Sequence, residues 1–100
     1  MLIRSQDKET LINFNNSIVV NTMVDIGGVT KMFCSYSCDD YVIGHYSSKE
    51  KAMKVLDMIQ EAYSEYQIML NFSVSYLHEF KEKTDGFAIF QMPEDSEVEA

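Results

Sequence analysis

Hydrophobic positions along the chain change period at Ser47. Before it, "TLINF", "SIVVNTMVDI", "VTKMFCSYS" and "YVIGHY" are short runs rich in β-branched and aromatic residues, separated by Asn15-Asn16, Gly27-Gly28 and "SCDD". Runs of this kind between turn-forming residues predict an antiparallel meander. After it, Ala52, Val55, Leu56, Ile59, Tyr63 and Tyr66 recur at helical spacing and form one apolar stripe. Ser47 and Glu50 stand in the S-x-x-E arrangement of a capping box, which places the helix start at Ser47.

Gly27-Gly28 predicts a tight two-residue hairpin, because both central residues accept positive φ. That loop would set Ile26 opposite Val29, Val24 opposite Lys31, Thr22 opposite Phe33 and Val20 opposite Ser35. One face would then carry Ile18, Val20, Val24, Ile26, Val29 and Phe33. Val19, Met23, Met32, Cys34 and Tyr36 would fall on the other, with the polar Asn21, Asp25 and Thr30. The second face would be half-buried under the C-terminal part of the chain or another subunit.

Residues 67–83 fit two patterns. Met69, Phe72, Tyr76 and Phe80 share a helical face, whereas "LNFSVSY" alternates as a strand would. A continued helix, whole or broken near Asn71, is favoured. Asp85-Gly86 then predicts a turn, and "FAIFQM" a last strand that Pro93 ends. The expected fold is therefore α+β: a meander of four to six strands packed on one long helix in the C-terminal half, or on that helix in two pieces. Residues 1–93 would form the single domain. "EDSEVEA", within 94–100, has the composition of a frayed acidic tail.

One hundred residues suffice for one core. No apolar run reaches the roughly 18–20 residues of a membrane span, and "MLIRSQDKET" lacks the pattern of a signal peptide. Two cysteines make no disulfide framework. A soluble, cytoplasmic protein is the expectation.

The net charge of −8 is unevenly placed. Residues 1–56 are neutral overall, and residues 57–100 carry the whole excess, ten acids against Lys81 and Lys83. This argues against direct nucleic-acid binding, which needs clustered Lys and Arg. It favours a basic protein partner, with Asp57, Glu61, Glu65, Glu79, Glu82, Glu94 and Asp95 as the candidate contact face. The alternative is a solvated acidic face with a solubilising tail.

Candidate chemistry is thin. "CSYSCDDYVIGH" gathers Cys34, Cys38, Asp39, Asp40 and His45, but a zinc site wants a second ligand pair, and only His78 remains. No metal, cofactor or catalytic residue is assigned, and a non-enzymatic role is expected. Ser47, Ser48, Lys49 and Lys51 cluster at a helix N-terminus, where free N–H groups and the dipole favour an anion. With Arg4, and Lys8 nearby, they form a candidate phosphate or carboxylate site. The alternative pairs Lys54 with Glu50 and leaves the other lysines solvated.

"MLIRSQDKETLINF", "HYSSKEKAMKVLDMIQEAY" and "FQMPEDSEV" together resemble a group of small uncharacterised proteins encoded in phages and prophages of Gram-positive bacteria. The similarity covers residues 1–66 and 87–98, and 67–86 looks like an insertion. The resemblance implies a setting and no functional residues: such accessory proteins often block host machinery. The leading expectation is an inhibitor that occupies the basic surface of an anti-phage defence component, such as a CRISPR nuclease, by nucleic-acid mimicry. An alternative is an oligomeric sponge for a nucleotide or phosphorylated signal, using the helix N-termini for phosphate and Tyr36, Tyr41 or Tyr46 for the base. A third is a structural, oligomerising role. A homo-oligomer, most simply a dimer through the insertion, is expected.

Overall fold

The computed structural model describes residues 1–14, 19–70 and 89–99. The expected turns at Asn15-Asn16 and Asp85-Gly86 and the ambiguous stretch beyond Leu70 lie outside the described residues, as do Glu79, Glu82 and His78. The fold is α+β. Among the described residues, six strands, β1 (Leu2–Arg4), β2 (Leu11–Asn13), β3 (Val19–Val24), β4 (Thr30–Tyr36), β5 (Asp39–Tyr46) and β6 (Ile89–Gln91), accompany one helix, α1 (Lys49–Leu70).

The strands form two sheets instead of one continuous meander. Sheet B, ordered β3-β4-β5, is the expected antiparallel meander. Sheet A, ordered β2-β1-β6, pairs β1 with β2 antiparallel and with β6 in parallel, so the first and last strands lie side by side. β1 comes from the apolar opening "MLI", and its Ile3 is fully buried.

The β3–β4 hairpin differs from expectation by one position. Gly27 and Gly28 do take positive φ, 84° and 85°. Yet they end a 3₁₀ turn over Ile26–Gly28, closed by the Asp25 N–H donating to the Val29 carbonyl at 2.7 Å. The five-residue loop sets Val20 opposite Cys34, Thr22 opposite Met32 and Val24 opposite Thr30. With a side-chain period of two, this slip turns over the face of β4. Thr30, Met32 and Cys34 go to the core, and Phe33 goes to the outer side with Val19 and Met23. Ile26 is left fully exposed at the loop tip.

A register shift between Met32 and Phe33 makes Ile43 an extra residue on β5. Such a bulge bends its strand and frees backbone groups. Here the Ile43 carbonyl accepts the Gln6 N–H at 2.7 Å, while the Gln6 side chain bonds the His45 N–H (2.9 Å) and the His45 carbonyl (3.1 Å). Gln6 thereby stitches the β1–β2 loop of sheet A to the end of β5 in sheet B.

The helix stripe packs as its spacing predicts. Ala52, Val55 and Ile59 are buried with Ile3, Met32, Ile43, Tyr46 and Met92, and Leu56, Tyr63 and Tyr66 flank them. Phe14 meets Tyr63 edge-on, with ring centroids 5.2 Å apart, a favoured aromatic geometry. Among the described residues, no helix is long and apolar enough to cross a membrane.

Candidate functional site

The helix start is built one residue later than the sequence pattern suggests. Ser48 Oγ accepts the Lys51 N–H at 3.2 Å and so caps α1, whereas the Ser47 N–H turns to the Asp95 carboxylate at 2.7 Å. Lys51 Nζ reaches the Asp95 carbonyl at 3.0 Å and its carboxylate at 3.5 Å. Lys54 Nζ donates to the Glu99 carbonyl.

The segment expected as a frayed tail is therefore a strap across the helix N-terminus. Asp95–Glu97 forms a 3₁₀ turn with a capping box between Glu94 and Glu97. Val98 is buried in the core, and Tyr46 Oη donates to the Pro93 carbonyl at 2.7 Å. Burial, with the nearby Glu94, Asp95 and Glu97, raises the Tyr46 pKa well above its usual value and keeps that donor protonated.

The structure thus brings Ser47, Ser48 and Lys51 together, and the anion beside them is the chain's own Asp95. Lys49 is exposed on the first turn. Arg4 lies elsewhere in role: its Nε donates to the Lys8 carbonyl at 3.1 Å within the β1–β2 loop. The Ser47 N–H above all, with Lys51, holds the Asp95 carboxyl below the usual carboxylate range. A depressed folded-state pKa stabilises at pH above the unfolded value, near 4, and that contribution is lost as pH falls through the folded value. Asp95→Asn should therefore melt below the parent at neutral pH. The gap should close in thermal melts below about pH 4; a gap constant with pH would contradict the clasp.

The candidate acidic face divides in the same way. Asp57, Glu61 and Glu65 are exposed and spaced four residues apart, forming a row along the outer side of α1. Glu94 is also exposed, whereas Asp95 is spent on the clasp. Among the described residues the ion pairs are Lys31–Asp25 and Lys51–Asp95, so the helical row has no cationic partner there.

The cysteine-rich stretch lies along the β4–β5 hairpin. Cys34 is buried, and burial pushes its thiol up to about 11. Cys38 is exposed in the turn, and both cysteines are free. No three His, Cys, Asp or Glu side chains converge on a metal-sized site among the described residues.

Of the three tyrosines considered for stacking, Tyr46 is core. Tyr36 and Tyr41 line an open groove of about 320 Å³ with Leu11, Ile12 and the buried Cys34. They lie at the far end of sheet B from the helix start. Tyr41 and Ser47 are six positions apart along an extended strand, about 20 Å. Within one chain, the stacking residues and the basic helix end therefore do not face one ligand of mononucleotide size. Sequence reasoning missed Gln6, the Asp95 clasp and this groove; only Val98, an isolated apolar residue in an acidic run, hinted at the strap.

No protein-family description, curated protein or solved structure matches the chain significantly.

Proposed function

We propose that the protein is a non-enzymatic binding protein that occupies a basic surface on a host component, in the manner of an inhibitor that mimics nucleic acid. The observation that carries this reading is the exposed row Asp57, Glu61 and Glu65, with no cationic partner among the described residues. Their axial step is about 6 Å, a regular line of carboxylates that clustered lysines or arginines can neutralise. The resemblance to phage and prophage proteins supplies the setting, an anti-phage defence component such as a CRISPR nuclease.

Charge complementarity acts chiefly on the association rate and is screened by salt. A partner captured from host lysate should bind at least tenfold more weakly when salt rises from low to physiological levels. Reversing the row, with Asp57→Lys, Glu61→Lys and Glu65→Lys together, should abolish capture while leaving the far-ultraviolet circular dichroism spectrum intact. Affinity indifferent to both salt and charge reversal would overturn the proposal.

A further inference from the structure

The groove at the β2 edge offers a more specific contact than the acidic row. Cys34 forms its floor and is fully buried, whereas Tyr36 and Tyr41 remain 52% and 45% exposed. The strand register explains the grouping. Tyr41 stands opposite Cys34, and Tyr36 is two positions further along β4, so all three share one sheet face. Asp39 is paired with Tyr36 and shares that face, outside the lining itself but directly across from one of its rings. Tyr36 and Tyr41 are diagonal cross-strand neighbours, at a spacing of about 7 Å. Among the described residues, no lysine or arginine lines the groove.

Two half-exposed phenol rings with a carboxylate next to them on the same face make a poor seat for an anion, because a phosphate would lie in the field of Asp39. They suit a cation, which is attracted by ring faces and neutralised by the carboxylate. A guanidinium suits them best, being flat, weakly hydrated and able to stack on aromatic faces. The apolar wall of Leu11 and Ile12 matches the methylene stem of such a side chain.

We propose that this groove seats an arginine side chain of the basic partner protein. This inference rests on the reading of the chain as a binder of basic surfaces and adds the point of docking.

The test is a nuclear magnetic resonance titration of the full chain with N-acetyl-arginine methylamide and its neutral counterpart N-acetyl-citrulline methylamide. The arginine probe should give saturable shifts at Tyr36, Asp39 and Tyr41, and the citrulline probe should bind at least about tenfold more weakly. Tyr41→Leu and Asp39→Asn should each weaken arginine binding roughly 3- to 10-fold, as expected for one cation–π or charge contact. Both positions are exposed, and unchanged dispersion of the amide spectrum confirms that each variant is folded. Absence of saturation, or equal binding of the two probes, overturns the proposal. A parallel titration with octalysine separates it from the broader reading. Shifts along Asp57, Glu61 and Glu65 with the groove silent to arginine remove the groove and leave the acidic face. Arginine shifts in the groove with the helical row silent to octalysine do the reverse.

Discussion

Replacing Tyr46 with alanine should cost about 3–5 kcal/mol of folding stability, the range for emptying a large aromatic site in a packed interior. Tyr46 is 1% exposed within the core cluster. Its hydroxyl holds the Pro93 carbonyl, and a Cβ on Gly44 would lie only 3.2 Å from its ring. A domain of this size is stable by about 5–15 kcal/mol, so the variant should lose roughly a fifth of that or more. Tyr46→Phe should lose only about 1 kcal/mol, because it removes the hydrogen bond and keeps the ring. Urea unfolding of both variants checks the pair. Losses of similar size would show that the Pro93 contact, and not ring packing, dominates at this position.

Ending the chain at Pro93 should also destabilise it substantially. Composition alone presents residues 94–100 as expendable. In the structure, however, Val98 is 5% exposed within the core cluster. Withdrawing one such side chain from its site costs about 1.5–3 kcal/mol, before the clasp between Asp95, Ser47 and Lys51 is counted. Thermal melts of the shortened chain and of Val98→Ala should both fall, the truncation further. A shortened chain that melts with the parent would show that the strap is not docked.

The helix and sheet B were legible in the sequence for one reason: each is specified by a periodic pattern within itself. Ala52, Val55 and Ile59 needed only their spacing to be placed inward. What failed depended on pairings that periodicity does not encode. The Gly27-Gly28 signal identified a turn with positive φ but not a five-residue loop, and that difference of one position exchanged Phe33 for Met32 and Cys34 in the core. β1 is three residues long, too short for any period, and its inward residue Ile3 depends on partners from both ends of the chain. Lysines at a helix N-terminus oppose the helix dipole. Lys51 and Lys54 are placed to hold the strap, a contact 44 or 45 positions away. The acidic row was readable from spacing and charge, whereas the Tyr36–Asp39–Tyr41 grouping required the register of β4 and β5.

The parallel pairing of β1 with β6 also constrains how the molecule assembles. Leu2 and Ile89 stand 87 positions apart, and closing a loop of that length costs roughly 4 kcal/mol in chain entropy. Contacts between neighbouring strands and along the helix carry no such cost, so they form early, and sheet A waits for the final strand. During synthesis at about 5–20 residues per second, β1 spends some 4–17 s without its β6 partner. The newborn chain therefore carries Ile3 on a strand that lacks its β6 neighbour until Ile89–Gln91 has been made.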